Sequence, residues 1–495
     1  MTLKSRRQFL EQSMFATAAA VAANAAAPLM AEETKQSSSP NEKLRVCTVG
    51  VNGRGMSHVG GMLNRKDTEY VYICDCDTDV AERRAQQVAD KQGKKPKIAT
   101  DIRKVLEDDS VDIITIATPN HWHALAAIWA LQAGKDVYVE KPVSHNVSEG
   151  RRIVEAAAKY NKICQAGTQS RSNPGMIDVI DFVKNGGIGK INVARGLCYK
   201  PRPSIGPVGD YPVPASVDYD LWAGPAPMGP VTRKKFHYDW HWQWPYGNGD
   251  LGNQGIHQMD IARWGLGVDE LSSQVISYGG RYGYEDAGTT PNTQVIIHNY
   301  GDASLVFEVR GLVYDKSLPA SSKNYKGSAI GVIFEGSDGY VVIPSYNGGV
   351  AFDKDGNKIK EFSGGGDQHH YDNFISAVRS RNADSLNGHI VEGHLSSALC
   401  HTGNISYLLG ESVSAGECLE RLEAIETTEN VKATLDRFTE HLKDNKVDLV
   451  KDKVKIGPNL KMDGKAETFT GNEAANNLLT REYRKPYEVP AEGKV

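Results

Sequence analysis

One short stretch constrains this chain more than any other. An apolar run over 45–49 ends in Gly50-Val51-Asn52-Gly53-Arg54-Gly55 and passes directly into a helical pattern over 56–63. A strand that turns into a helix this quickly needs backbone of positive φ, which glycine adopts freely and asparagine better than most residues. The turn departs from a strict G-x-G-x-x-G, because Asn52 holds the second glycine position and glycines follow at 53 and 55. Such a turn lets a diphosphate approach the backbone at a helix N-terminus. Gly50, Asn52, Gly53, Arg54 and Gly55 are therefore candidates to hold one. A second strand over 70–74 ends at Asp75, twenty residues beyond Gly55. A carboxylate there accepts hydrogen bonds from adenosine ribose hydroxyls and repels a 2′-phosphate. That favours NAD, while Arg83 and Arg84 further along the next helix leave NADP open.

The same rhythm continues. A charged helix over 78–91, a strand over 113–116, a helix over 123–133, a strand over 137–139, a helix over 148–160 and a strand over 163–166 alternate in order. Alternating strands and helices imply a parallel, doubly wound sheet, and 44–167 is read as that domain. Two motifs sit at its strand ends. Thr118-Pro119-Asn120-His121-Trp122-His123 follows the fourth strand and Glu140-Lys141-Pro142 follows the fifth, where a nicotinamide ring would lie.

Together with the glycine turn and Cys74-Asp75, these motifs resemble the Gfo/Idh/MocA oxidoreductases, the family of glucose–fructose oxidoreductase and inositol dehydrogenase. The resemblance runs over roughly 44–410 by pattern, and the Glu-Lys-Pro tripeptide is its most specific part. It implies an α/β chain: an N-terminal Rossmann domain, then an α+β substrate and oligomerisation domain over 168–412 with an open, mostly antiparallel sheet. It implies a homo-oligomer, dimer or tetramer, built on that sheet. Thr118, Pro119, Asn120, His123, Glu140 and Gln169 would lie at the cofactor, and Lys141 would touch both the cofactor and the reacting hydroxyl. An ammonium beside a cationic nicotinamide has its pKa lowered and can relay a proton.

The second catalytic element of the family is a carboxylate followed four residues later by histidine. The matching stretch runs from Gly247 to Asp260 and places Asn253 where most members carry aspartate, with His257 four residues on. At that spacing the two share one helix face. An amide orients an imidazole but does not stabilise its cation. His257 then acts chiefly as an acid, or beside Lys141 as the base, with Asp250 and Asp260 as substitute partners. Substrate contacts are expected from Tyr199, Lys200 and Arg202 at a strand end, from Arg171, from Asp260, and from Trp240 in the aromatic stretch over 237–244. Aromatic faces stack on sugar rings, while the same residues also serve as ordinary core.

Composition bounds the rest. In 495 residues, Lys plus Arg number 57 against 61 Asp plus Glu, and no basic run stands out, so nucleic acid is not an expected partner. Seven cysteines without a CxxC pair give neither a disulfide framework nor a zinc site. His394 and His401 lie seven apart, too far for the i, i+4 pair of a zinc helix, so no metal is expected. Arg6-Arg7 before an alanine-rich apolar run over 14–30 reads as a Tat export signal spanning 1–31, with a linker over 32–43. The Tat translocon is then a partner and the periplasm the destination. Beyond residue 410 lies an extension; 413–495 is read as amphipathic helix and tail.

The expectation is an exported NAD(P)-dependent oxidoreductase of a sugar or polyol with an internally recycled cofactor. Two alternatives stand beside it: an NAD-dependent glycoside hydrolase using transient C3 oxidation and elimination, and a non-catalytic sugar-binding module.

Overall fold

The computed structural model describes residues 43–312 and 323–495. The expected Tat signal, and the linker up to residue 42, lie outside the described residues.

Apolar runs at the periods read from the sequence become the elements of the first domain. Strand β1 (Leu44–Val49) leads into α1 (Gly55–Leu63), β2 (Thr68–Cys74), α2 (Thr78–Gln92), β3 (Lys97–Ala99), α3 (Ile102–Leu106), β4 (Ile113–Ile116), α4 (Asn120–Gln132), β5 (Asp136–Val139), α5 (Val147–Lys159) and β6 (Cys164–Ala166). The six strands are parallel in the order β3-β2-β1-β4-β5-β6. The chain reverses its winding between β1 and β4, which opens a crevice at their carboxyl ends. The Asp77 carboxylate caps α2 through the Asp79 and Val80 N–H groups. Strand β4 is buried at all four residues, as a sheet covered on both faces requires.

The second domain is built on α6 (Pro174–Lys184), β7 (Ile191–Tyr199), α7 (Tyr219–Ala223), α8 (Gly249–Asn253), α9 (Gly255–Leu266), β8 (Gln274–Gly280), β9 (Thr293–Asn299), β10 (Ser304–Arg310), β11 (Ile330–Gly336), β12 (Gly339–Ile343), β13 (Gly348–Asp353), β14 (Lys358–Ser363), α10 (Gln368–Ser380) and α11 (Ile390–Leu408). Its sheet runs β14-β13-β12-β11-β7-β10-β9-β8 and is antiparallel except for the β10–β7 pair. The expected α/β class, with a parallel Rossmann sheet and a mostly antiparallel second sheet, is the observed one.

The last segment is more than helix. After α11 come β15 (Glu411–Val413), α12 (Ala415–Glu423), α13 (Val431–Asp444), β16 (Val454–Ile456), β17 (Leu460–Asp463), β18 (Thr468–Phe469) and α14 (Glu473–Asn477). Strands β16 and β17 both pair with β8, so the extension widens the big sheet. Leu422, Leu435, Phe438 and Leu442 of α12 and α13 pack on Ile276, Tyr278, Val295 and Ile297 of the sheet's outer face. Tyr487, Val489 and Val495 pack in the core of the first domain instead. The sequence reading missed these strands because each is only two to four residues long, too short for a period to register.

Phe438 is fully enclosed in this outer layer. Phe438→Ala is expected to cost about 3–5 kcal/mol, the usual penalty for emptying a buried aromatic site, read as a lower midpoint in denaturant unfolding followed by circular dichroism.

Candidate functional site

The crevice at the carboxyl ends of β1, β4 and β5 continues into a cavity of about 600 Å³ shared with the second domain. Gly50, Asn52, Gly53, Arg54, Asp75, Thr118, Pro119, Asn120, His123, Glu140, Lys141, Gln169, Trp240, Asn253 and His257 all line it.

At one end lies the glycine turn. Gly50 has φ +82°, and a Cβ there would come within 2.7 Å of the Thr118 nitrogen. A Cβ on Gly55 would meet the Gly50 carbonyl oxygen at 2.0 Å, which is why strand and helix approach this closely only with glycine. Helix α1 has no side-chain cap; its Met56 and Ser57 N–H groups close back on the Gly53 and Arg54 carbonyls, and the dipole at its start still favours an anion beside the glycine turn. Asp75 accepts hydrogen bonds from the Val51 N–H (2.8 Å) and the Asp77 N–H (3.0 Å), and burial pushes its carboxyl up. Arg84 donates to the Asn52 carbonyl (2.9 Å), so its guanidinium braces the turn. These residues fit a dinucleotide: a bare helix start for the diphosphate and an acid at the ribose position.

A segment of the second domain roofs the adenosine end. The Thr78 N–H donates to the Ser216 carbonyl and the Asp218 N–H to the Cys76 carbonyl, each at 2.9 Å. His237 Nε2 sits 2.9 Å from the Asp77 carboxylate. Leu221, Trp222 and His237 line the cavity there, while Trp240 lines it toward Lys141, with the His241 ring stacked on it at 3.7 Å between centroids.

At the other end, Glu140 is the hub. Its Oε1 accepts from Arg54 Nε (2.9 Å), His58 Nε2 (3.0 Å) and Gln169 Nε2 (3.2 Å), and its Oε2 accepts from the Lys141 N–H (3.2 Å). Burial alone would raise this carboxyl, but Arg54 and His58 more than offset it and hold it well below the ordinary range. The His123 ring lies between the Pro142 carbonyl (2.6 Å) and the Thr118 carbonyl (2.7 Å), where the two motif turns meet.

Lys141 reaches across to the second domain and donates to the main-chain carbonyl of Asn253 at 2.8 Å. Asn253 and His257 were expected on one helix face. The backbone stays helical through Gln254 (φ −83°, ψ −43°) and both residues line the cavity, but the hydrogen-bond ladder slips there and the His257 N–H bonds the Gln254 carbonyl. The slip releases the Asn253 carbonyl from helical pairing and offers it to the ammonium. The Asn253 amide makes no hydrogen bond to His257 among the described residues, so its expected orienting role falls to the backbone. His257 packs edge-on against Tyr346 (5.2 Å), and its ring nitrogens take no protein partner among the described residues. Burial, then Lys141, push its pKa well below the ordinary imidazole value. Burial likewise lowers Lys141; Arg54, Lys200 and Arg202 add to this against the pull of Glu140.

Three expected substrate residues are elsewhere. Tyr199 lies on the outer face of the second sheet and donates to Glu308 (2.6 Å), because successive residues of β7 alternate faces. Arg171 and Asp260 form a buried ion pair at 2.8 Å, with Ser396 also donating to Asp260. Asp260 is thus no partner for His257, and Asp250 is held bidentately by Arg202. Lys200 is half-buried and donates to the Gln254 side-chain oxygen at 2.9 Å. His58 and Tyr346 were not foreseen. Neither stands in a motif, and both arrive from distant parts of the chain.

Comparison with known proteins agrees with this geometry. Residues 44–168 match the Gfo/Idh/MocA oxidoreductase family's NAD-binding Rossmann fold, and 206–431 match its C-terminal alpha/beta domain. An alpha-N-acetylgalactosaminidase of Shewanella oneidensis is 30% identical over 201 residues, 38% of this chain and 44% of that protein. A glycosyl hydrolase family 109 protein of Shewanella sp. strain MR-4 is 30% identical over 203 residues, with the same coverage of each chain. The chain thus spans less than half the length of these curated relatives. The WlbA dehydrogenase from Bordetella pertussis, solved in complex with NADH and UDP-GlcNAcA, superposes with a TM-score of 0.53 at 21% identity, over 72% of this chain and 94% of that one. An oxidoreductase domain protein from Kribbella flavida superposes at 0.54 with 19% identity, over 73% and 96%. Both show the same fold.

Forcing a methyl group into a close-packed spot costs about 1–3 kcal/mol. Gly55→Ala is therefore expected to raise the Kd for NAD about tenfold or more in a fluorescence titration. Gly60→Ala, where a Cβ meets nothing within 4 Å, is expected to leave it unchanged.

Proposed function

We propose that this chain, which carries both domains of the Gfo/Idh/MocA oxidoreductases and binds NAD, oxidises a carbinol of a sugar or polyol. The observation that carries the reading is the Lys141 ammonium held at 2.8 Å from the Asn253 carbonyl, beside His257, where the dinucleotide crevice opens into the second domain.

Bound NAD supplies the hydride acceptor. The protein's part is to position the carbinol and manage its hydroxyl proton. Burial lowers the Lys141 pKa from its ordinary value, which makes the neutral amine that accepts that proton easier to reach. The Asn253 carbonyl aims it without neutralising it, since a carbonyl accepts a hydrogen bond but carries no full charge. His257, kept neutral, donates to or accepts from a second hydroxyl rather than acting as the acid expected when asparagine replaces aspartate. His241, pushed down to about 3, is a neutral ring at pH 7 and supplies a hydrogen-bonding edge over Trp240.

The Arg6-Arg7 segment supports export by the Tat route to the periplasm, which has no free nicotinamide pool. The roof over the adenosine end supports a cofactor that stays bound and is recycled within each cycle. Glycoside cleavage is a second reading, favoured by the alpha-N-acetylgalactosaminidase relative. In it, oxidation at C3 would acidify the C2 proton, the aglycone would leave C1 by elimination, water would add at C1 with a proton returned to C2, and return of the hydride to C3 would restore the sugar with no net NADH.

Incubation with sugars and with aryl glycosides separates the two. A keto-sugar or net absorbance at 340 nm supports oxidation, and released aglycone with unchanged NAD supports cleavage. Lys141→Ala is expected to lower kcat about 100- to 10,000-fold in either case while bound NAD is retained; normal turnover would sink the reading. Because neutral Lys141 is the active form, kcat/KM is expected to rise with pH and to level off below 10.5, the ordinary lysine value. His257 is already neutral there, so no limb near pH 6.5 is expected.

A further inference from the structure

We propose that the sugar handled at this site carries an anionic substituent, a carboxylate or a sulfate ester, seated against Lys200, which reaches the Tyr346 side of the cavity through Gln254. The inference rests on the oxidoreductase reading and names its substrate class.

Every guanidinium around the reacting end has a carboxylate partner. Arg54 pairs with Glu140 and Asp367, Arg202 with Asp250, and Arg171 with Asp260. The acids there are thereby used up. Two ammonium groups are left, and each has only a neutral acceptor: Lys141 on the Asn253 carbonyl and Lys200 on the Gln254 amide oxygen. Among the described residues, no carboxylate lies within salt-bridge distance of either.

The surplus is built in rather than loose. Gln254 lies between α8 and α9, where the hydrogen-bond ladder slips. Its oxygen takes Lys200 and its amide N–H donates to the Tyr346 hydroxyl. Lys200 and Tyr346 are thus held on either side of one amide, and Tyr346 in turn lies edge-on to His257. An ammonium has three donors and Lys200 spends one here. The other two, with the Tyr346 hydroxyl, are the donors that an oxyanion of carboxylate or sulfate geometry takes up.

A neutral sugar leaves the Lys200 charge uncompensated. Its hydroxyls are served by neutral groups already in the cavity, His241, His257 and the Asn253 amide. Two half-buried ammonium groups that repel each other are a standing electrostatic penalty, which an incoming anion removes. Lys200 and Lys141 rest on neighbouring residues, Gln254 and Asn253, so the anion would sit on the substrate away from the carbinol that Lys141 serves.

The test uses holoenzyme with galacturonate, galactose 6-sulfate and galactose, followed by calorimetric binding and by turnover. At least one anionic sugar is expected to bind about 10- to 100-fold tighter than galactose, the range for charge-assisted hydrogen bonds. Which of the two prevails distinguishes carboxylate from sulfate. Lys200→Met is expected to erase that preference through KM, with kcat moving only a few-fold, and to shift the ascending pH limb upward because a positive neighbour of Lys141 is gone. Lys200→Arg is expected to keep the preference. Equal binding of all three sugars, or a preference that survives Lys200→Met, overturns the proposal and leaves the oxidoreductase reading standing. Anion-selective binding lost in Lys200→Met, with no turnover of any sugar, upholds the proposal and sinks that reading instead.

Discussion

The rest of this molecule is arranged around a single contact between domains, the Lys141 ammonium on the Asn253 carbonyl. It forms only because two local irregularities meet. On one side the Glu140-Lys141-Pro142 turn projects the lysine from the end of β5. On the other, the helical hydrogen-bond ladder slips at Gln254 and leaves the Asn253 carbonyl without a helical partner. A carboxylate at that point would neutralise the lysine and raise its pKa; a carbonyl orients it and leaves its charge uncompensated.

The lysine is rigidly backed. Glu140 gathers Arg54 from the glycine turn, His58 from α1 and Gln169 from beyond β6 onto one buried carboxylate. The diphosphate end of the crevice and its reacting end are therefore mechanically one piece: Arg54 sits in the turn and on the hub at once. Buried carboxylates are costly unless fully hydrogen-bonded, and this one is. His123 lies between the Thr118 turn and Pro142 with one ring nitrogen near each carbonyl; as a neutral ring it donates to one of the two.

The second domain does two things for the first. Its segment over 216–241 closes the adenosine end through main-chain hydrogen bonds and the His237–Asp77 contact, while Trp240 and His241 form a flat wall beside the reacting end. The extension past α11 shields the outer face of the large sheet with α12 and α13 and sends its last residues back onto the Rossmann core. An aliphatic sheet face left open is a binding surface for another chain; here the chain's own helices occupy it over β8 and β9.

The first domain was legible in the sequence because its signals are local. Strand and helix periods, the glycine turn and the acid twenty residues on each depend on neighbours within one supersecondary unit, where sterics and hydrogen bonding decide conformation directly. Gly50, Asp75 and Lys141 could be read that way. What tertiary structure alone decided are the matches between distant segments. Nothing near Tyr346 announces that it will cover His257, and nothing near His58 foretells the Glu140 hub. Asn253 acts through its backbone, which no side-chain pattern encodes. Tyr199, Arg171 and Asp260 have the right chemistry but spend it on Glu308 and on each other. Strand alternation and packing assign each side chain to one face, and only the assembled fold determines which face borders the cavity.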